Sequence, residues 1–308
     1  MKLTLLVSVA LCLPLIEAED RPGALRFKAG QNGEFEFDTG VLAGKIRPEG
    51  KSLGLSSLVH IPTGLAMAKG FGILSYYRVF SGDKRYGRAA WDWPSEAKLQ
   101  DDGSLEVHWL AAEDRPFELW SVYRWAAADT LDFETRVRPR TDLPDFEILL
   151  SAYFSPEFTQ SAAYAKEGGK AAFLASEEKY GHWQLFPRDA AAAALIGKGR
   201  YKLPPNPVDW VIRPTLAHPL AVRRAPEKGV AGILMADPAE CMGLAMPFQT
   251  DPHNSIYYVL FGHTIKAGET ARSLGRFEVA VSPSGKQMVE RYEKYIKRLR
   301  DKSPSAPF

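Results

Sequence analysis

Turn-forming residues recur along this sequence about every ten residues, and the segments between them are rich in aromatic and β-branched side chains. The longest such segment runs from Phe71 to Phe80 (FGILSYYRVF). Another, Leu131 to Arg138 (LDFETRVR), alternates apolar with mostly charged side chains. Such alternation is typical of a strand with one face in the core and one in water. The spacing therefore predicts a large antiparallel β protein, a sandwich or a barrel.

Further strands are predicted wherever short apolar or alternating segments lie between turn residues. Residues 146–154 are apolar almost throughout, so we expect both faces of that strand to be covered. We find no repeat of about 40–50 residues, which excludes a propeller and favours a two-sheet sandwich. The other predicted strands are 24–29, 34–38, 41–47, 103–111, 117–126, 220–224, 230–236, 242–247, 255–261 and 272–281.

Two helices are predicted. The alanine-rich run Ala190 to Gly197 follows Asp189, a good N-cap residue. At the C-terminus, Ser282 is a candidate N-cap and Pro283 a candidate first helical residue. The apolar spacing after Pro283 predicts a helix over 283–301 that covers one face of a sheet.

The first residues have the pattern of a secretory signal peptide. Lys2 precedes an apolar run over residues 3–16, and Ala18 provides a small residue for cleavage. We therefore predict a signal peptide at 1–18, one β-sandwich domain at 21–302 and a tail at 303–308. The protein is expected to be secreted or periplasmic, in a bacterial envelope. Cys12 lies in the signal, so Cys241 alone remains and no intrachain disulfide is expected.

The net charge and the sequence motifs limit the classes of binding partner that we expect. The formal net charge is +2, with basic residues spread along the chain, so neither nucleic acid nor a membrane surface is expected as a partner once the signal is removed. We find no metal-ligand spacing among the histidines and no nucleotide-binding or serine-hydrolase motif. No metal and no cofactor are expected.

A stretch from Tyr180 to Pro214 concentrates polar side chains among tryptophans. Sugar sites need this mixture, since flat rings stack on the C–H faces of a pyranose and fixed polar groups bind its hydroxyls. The alternative is a buried tryptophan pair with charges on the surface. The candidate residues here are His182, Trp183, Arg188, Asp209, Trp210 and Arg213.

Other candidates lie outside that stretch. Trp91 and Trp93 flank Asp92 in a polar loop. The two rings either form a stacking surface with an acceptor beside it, or pack in the core under the loop. His253 lies between a turn and aromatic residues, as His182 does, and imidazole is the usual proton carrier near neutral pH. Glu147 interrupts an apolar strand, either in a cleft or in a structural ion pair, and Tyr153 follows on the same strand.

The segment Phe261 to Thr270 (FGHTIKAGET), with the strand that follows it to Val281, resembles the closing strands of galactose-mutarotase-like (aldose-epimerase-like) proteins. The chain is also similar to a family of secreted bacterial proteins of unassigned activity with LFPRD and NPVDW segments, present here at 185–189 and 206–210. The first resemblance implies a large β-supersandwich and a carbohydrate ligand. It does not fix the reaction, because the catalytic residues of mutarotases have no one-to-one match in this sequence.

Three functions remain open. The first is a carbohydrate-active enzyme that works by proton transfer, as an epimerase, mutarotase or polysaccharide-lyase-like protein. His182, Tyr153 and Glu147 would then be catalytic. The second is a non-catalytic glycan-binding protein of the cell envelope, with tryptophans as stacking surfaces. The third is a structural envelope subunit. A groove with a histidine and a carboxylate in hydrogen-bond reach would favour the first.

Overall fold

The structure is a computed structural model that describes residues 25–47 and 54–301. The predicted signal peptide with its Cys12, and the predicted tail at 303–308, lie outside the described residues. The helices are α1 (Ala190–Gly197) and α2 (Gly285–Asp301). The strands are β1 (Lys28–Ala29), β2 (Phe35–Asp38), β3 (Leu42–Ile46), β4 (Leu55–His60), β5 (Leu65–Ala66), β6 (Ala68–Ser81), β7 (Lys84–Arg85), β8 (Glu96–Leu99), β9 (Leu105–Trp109), β10 (Phe117–Ala127), β11 (Thr130–Pro139), β12 (Leu143–Phe154), β13 (Gln160–Glu167), β14 (Lys170–Ala175), β15 (Trp183–Pro187), β16 (Val211–Ile212), β17 (Leu216–Ala225), β18 (Val230–Ala236), β19 (Cys241–Pro247), β20 (Ser255–Ile265) and β21 (Ala271–Val281).

The strands form two sheets. Over the described residues, sheet A has the order β1-β2-β3-β4-β6-β12-β20-β19-β15-β16, with β5 paired to β4 and β7 to β6. Sheet B has the order β14-β13-β17-β18-β21-β11-β10-β9-β8. Nearly all pairs are antiparallel, and β15 with β16 is a parallel pair. The predicted two-sheet β-sandwich with a C-terminal helix is confirmed.

The main core lies between the two sheets. It joins inward-facing side chains of sheet A, such as Tyr76 and Tyr258, to those of sheet B, such as Phe133 and Phe277. One hydroxyl pair joins the two sheets across this core, since Tyr76 Oη lies 2.6 Å from Thr135 Oγ1. A buried hydroxyl needs such a partner, because leaving it unpaired costs about 1–3 kcal/mol.

Each sheet also buries part of its outer face. Helix α2 packs on sheet B through Met288, Tyr292, Tyr295 and Ile296, which confirms the predicted covering helix. The outer face of sheet A carries a second apolar cluster, to which α1 contributes. Central strand β12 is therefore buried on both faces from Phe146 to Phe154, as predicted.

The helix starts are only partly as predicted. The Asp189 carboxylate accepts the backbone N–H of Ala192 at 2.8 Å, so the predicted N-cap of α1 is confirmed. The predicted N-cap of α2 at Ser282 is wrong. The Ser284 hydroxyl accepts the Gln287 N–H at 3.2 Å, and the Gln287 side chain accepts the Ser284 N–H at 2.9 Å. This reciprocal pair is a capping box and starts the helix at Gly285.

Among the described residues, no helix is both long and apolar enough to cross a membrane.

Candidate functional site

A cavity of about 370 Å³ opens on the outer face of sheet A. Its floor comes from strands β6, β12 and β20, and its walls from β15 and the connections around it. Ligand sites usually have volumes of about 300–1,000 Å³. The residues that line it are Phe71, Tyr77, Arg78, Arg88, Trp91, Leu149, Tyr153, Trp183, Asn206, Pro207, Val208, Trp210, His253 and Tyr257.

Two predicted tryptophans form an open aromatic corner of the cavity. Trp183 and Trp210 meet edge to face with ring centroids 5.7 Å apart, and both are half-buried. The predicted Trp91 also lines the cavity, but it is only 4% exposed. It stacks on Tyr77 at 4.5 Å with 2° between the ring planes. Trp91 therefore supports the wall, while Trp183 and Trp210 keep ring surface available to a ligand.

A chain of hydrogen bonds runs along one wall. His253 Nε2 lies 3.2 Å from Tyr257 Oη, and the Tyr257 hydroxyl donates to Tyr153 Oη at 3.2 Å. Burial raises the pKa of Tyr257 to about 12 and that of Tyr153 well above its usual value. Burial also lowers the pKa of His253 below its ordinary value. At neutral pH the wall thus presents a neutral imidazole next to two protonated phenols, that is, a proton acceptor beside proton donors.

A second groove, of about 440 Å³, joins this cavity through shared lining residues that include Phe71 and Trp183. Here His182 Nε2 lies 2.8 Å from Asp251 Oδ2, and the imidazole stacks on Trp183 with 2° between the planes. The other Asp251 oxygen accepts the backbone N–H of His253 at 2.7 Å. One carboxylate therefore orients His182 and fixes the turn that carries His253.

Two arginines, Arg78 and Arg88, line one end of the main cavity. Arg78 is 4% exposed and donates to the backbone oxygen of Asn206 at 2.6 Å. Burial alone would raise the pKa of Tyr77, but the charge of Arg78, hydrogen bonds from Arg78 and Asn206, and the charge of Arg85 together outweigh it, so the pKa is lowered. Arg88 lies at the exposed rim. This end of the cavity is therefore at positive potential.

The structure places Glu147 in an ion pair and not in the cavity wall. Its side chain is fully buried, and the Arg200 guanidinium, only 2% exposed, donates to its carboxylate. Burial raises the pKa of Glu147 to about 7, against the opposing charge of Arg200. Of the two roles left open by the sequence, this geometry fits the structural pair. The catalytic role of Glu147 stays a prediction.

Trp93 also lies away from the cavity. It packs in the core between the sheets, with its ring 5.9 Å from that of Phe117 and the Arg115 guanidinium 4.8 Å from its centroid. Trp91 and Trp93 lie on either side of a short 3-10 turn, Ala90–Asp92. Trp91 belongs to the apolar cluster on the outer face of sheet A, whereas Trp93 belongs to the core between the sheets. Asp92 is exposed on that turn, outside the lining of the cavity.

Three further candidates serve local structure. Arg188 bonds Asp189 at 2.8 Å and the backbone oxygen of Ala239 at 2.8 Å. Asp209 is exposed and pairs with Lys202. Arg213 lies buried over the Tyr180 ring, 3.5 Å from its centroid. All three were predicted to contact a ligand, but none of them is among the described residues that line the two cavities.

Several lining residues were not among the predicted site residues, notably Arg78, Tyr257, Asp251 and Lys69. A sequence signal existed for Arg78, which interrupts an apolar strand as Glu147 does. Asp251 precedes a Pro-His pair, a pattern of turns. Tyr257 gave no signal, because it lies within an apolar strand and reaches the site only through pairing of β20 with β12.

Among the described residues, no group of three or more His, Cys, Asp and Glu side chains is arranged to hold a metal ion.

No family model and no curated protein sequence matches this chain. Solved structures do match its fold. A galactose mutarotase-like protein from Clostridium acetobutylicum superposes with a TM-score of 0.52 and 11% identity, over 83% of this chain and 99% of that one. The aldose epimerase homologue from C. elegans gives 0.50 and 8%, over 84% and 99%. An alpha-N-acetylgalactosaminidase from Bifidobacterium bifidum, in complex with GalNAc, gives 0.55 and 11%, over 86% of this chain and 38% of that one.

At these identities the similarity is one of fold. The predicted resemblance to galactose-mutarotase-like proteins is confirmed at that level. The resemblance carried by the LFPRD and NPVDW segments stays a prediction.

Proposed function

We propose that the protein binds a saccharide in the aromatic cavity and acts on it by proton transfer, as an epimerase, a mutarotase or a lyase does. The observation that carries this proposal is the hydrogen-bonded chain His253–Tyr257–Tyr153 in the wall of a cavity that also presents indole faces. Solved structures with the same fold include an aldose epimerase homologue and a sugar-bound glycosidase, which supports the ligand class by fold analogy.

The cavity wall suits a pyranose ring. The edge-to-face pair Trp183 and Trp210 offers apolar surface against which sugar C–H groups pack. Asn206 and the phenol of Tyr153 add polar groups at the same cavity. A site of this kind orients a sugar by a few polar contacts and binds it largely through the rings.

His253 and Tyr153 are the groups that would move protons. Since its pKa is lowered by burial, His253 is neutral at neutral pH and can accept a proton from a sugar hydroxyl or an acidic C–H group. Tyr153 keeps its proton, because its pKa is raised, and can donate it to an oxygen of the sugar. Tyr257 bonds to both and links them.

Non-catalytic glycan binding is the second candidate, and one observation favours it. Among the described residues that line the main cavity there is no carboxylate, so no carboxylate base lies at the aromatic corner. Asp251, in the adjoining groove, is already bonded to His182 and to the His253 backbone. In this alternative the rings and hydroxyls only bind the glycan.

Binding and turnover separate the two candidates. Calorimetry with a panel of monosaccharides and oligosaccharides measures binding, while NMR of the same sugars follows anomer exchange, epimerisation and elimination. For the enzyme, His253→Gln and Tyr153→Phe should each lower turnover by about 10²–10⁴-fold and leave binding largely intact. His263→Gln, which removes a histidine on β20 paired with Glu240, is the matched control.

Binding without any conversion by the unmodified protein would leave the glycan-binding alternative. A protein that binds no member of the panel would contradict both.

A further inference from the structure

We infer that the saccharide bound in this cavity is anionic and that its carboxylate, sulfate or phosphate group lies against Arg78 and Arg88. This inference rests on the proposed saccharide site and specifies the chemical class of its ligand.

The charges at the main cavity all have one sign. Arg78 and Arg88 line it, and among the described lining residues there is neither Asp nor Glu. In the adjoining groove, Lys69 and Asp251 balance one another. The lining of the main cavity therefore carries an excess of positive charge, at Arg78 and Arg88.

Arg78 has neutral hydrogen-bond partners. Its guanidinium donates to the backbone oxygens of Asn206 and Tyr201, at 2.6 and 3.4 Å, and to the phenol of Tyr77 at 3.4 Å. The buried carboxylate of Glu147 is bonded to Arg200, and the charge of Arg78 also acts on it. The single carboxylate of Glu147 therefore has to offset the charges of two buried guanidiniums, Arg78 and Arg200.

A third arginine adds to the positive charge at this end. Arg85 donates to the backbone oxygens of Leu203, Pro205 and Arg88, all of which are neutral. Burial and the charge of Arg78 both lower the pKa of Arg85, as expected for two cations placed close together. In the cavity wall, the charges of Arg78 and Arg85 also lower the pKa of Tyr77, together with hydrogen bonds from Arg78 and Asn206.

An anionic group bound here would supply the missing negative charge. Burying a cation without an opposite charge is costly, so a ligand that brings one gains more than a neutral ligand of the same shape. Guanidinium groups match carboxylate, sulfate and phosphate oxygens in geometry and bond them in pairs. The sugar ring would then extend from this end toward Trp183 and Trp210.

Sugars that differ only at C6 test the inference. Titration calorimetry compares galactose with galacturonate, galactose 6-sulfate and galactose 6-phosphate, and repeats the comparison in the glucose series. At least one anionic sugar should bind about tenfold or more tightly than its neutral parent at low salt. The preference should shrink at high salt, because surface-accessible charge is screened. Which of the three anions binds best identifies the group.

Arg88→Gln is the informative variant, since Arg88 is exposed and its loss should leave the fold intact. It should reduce the affinity for the anionic sugar by about threefold to tenfold, and by more than it reduces the affinity for galactose. The control is Arg140→Gln, an exposed arginine that follows β11 on the other sheet. It should change neither affinity.

Four results would overturn the inference. Equal affinity for neutral and anionic sugars would do so while leaving the saccharide proposal intact. The inference would also fail, with the saccharide proposal intact, if Arg88→Gln weakened the binding of galactose as much as the binding of the anionic sugar. If inorganic sulfate or phosphate alone binds as tightly as the sugars, the site recognises a free anion. If no sugar binds at all, the proposed function fails together with this inference.

Discussion

His182 and Asp251 form a hydrogen bond of 2.8 Å across 69 residues of sequence, in the groove that adjoins the cavity. The second oxygen of the same carboxylate holds the N–H of His253 at 2.7 Å. The two candidate histidines are thus coupled by one acidic side chain that is only 11% exposed. Because the hydrogen bonds are made by a charged group, each is worth more than a bond between neutral groups.

We expect Asp251→Ala to weaken both the fold and the site. Losing hydrogen bonds to a charged group should cost about 1.5–3 kcal/mol in the free energy of unfolding, measured by denaturant titration. Saccharide affinity should fall as well, because the turn with His253 is released. Asp237→Ala is the control, since Asp237 bonds the Ala239 N–H at 3.0 Å in another turn. If both variants keep full saccharide affinity, Asp251 does not organise the site.

A second prediction concerns the aromatic corner. Trp183→Ala should reduce saccharide affinity by about 1–3 kcal/mol, because it removes a ring surface that borders both cavities. The matched control is Trp120→Ala. Trp120 is also half-buried and stacks on a histidine, His108, but it belongs to β10 of sheet B. Equal losses in the two variants, measured by calorimetry, would show that Trp183 contributes to stability and not to binding.

The sequence predicted the architecture well where strands carry alternation or long apolar runs. It did not predict β13 and β14, whose sequences QSAAYAKE and KAAFLA are rich in alanine. Alanine favours helix, but pairing between β13, β14 and β17 decides their conformation. Tertiary contacts therefore outweigh local preference at this edge of sheet B.

The site was predicted only in part, for a similar reason. Loop residues with distinctive chemistry, such as Trp183, Trp210 and His253, were recognised and do meet at one cavity. Tyr257 was not, since it reaches Tyr153 across 104 residues through the β12–β20 register. The sequence also did not show that Trp91 and Trp93 would lie on opposite faces of a sheet.

A third prediction separates structure from catalysis at Glu147. Glu147→Gln leaves Arg200 buried without its partner, so the free energy of unfolding should fall by about 3–5 kcal/mol. Replacing both residues, as Glu147→Leu with Arg200→Met, should cost less than the single change because no charge stays buried. Turnover per folded molecule should be unchanged. Full stability with lost turnover in Glu147→Gln would instead make Glu147 catalytic, as first predicted from the sequence.

The last prediction concerns pH. Burial lowers the pKa of His253 from its ordinary 6.5, so the folded protein binds this proton more weakly than the unfolded chain. The neutral form therefore contributes stability that is fully present above pH 6.5. That contribution is lost as pH falls from 6.5 through the lower pKa of the folded state. Proton-transfer activity should fall only as pH drops through the lower pKa of the folded state, because a protonated imidazole cannot act as a base.

NMR titration of the histidine ring signals, assigned with single variants, measures this directly. His253 should titrate below 6.5 and His263 above it, since the Glu240 carboxylate raises the pKa of His263. His60 and His218 also have lowered pKa values, so the acid loss of stability is shared among three histidines. His253→Gln should therefore flatten the stability profile below pH 6.5 without abolishing its slope. A His253 signal that titrates at or above 6.5 would mean that the imidazole is not held neutral beside Tyr257, and the proposed base would be the wrong group.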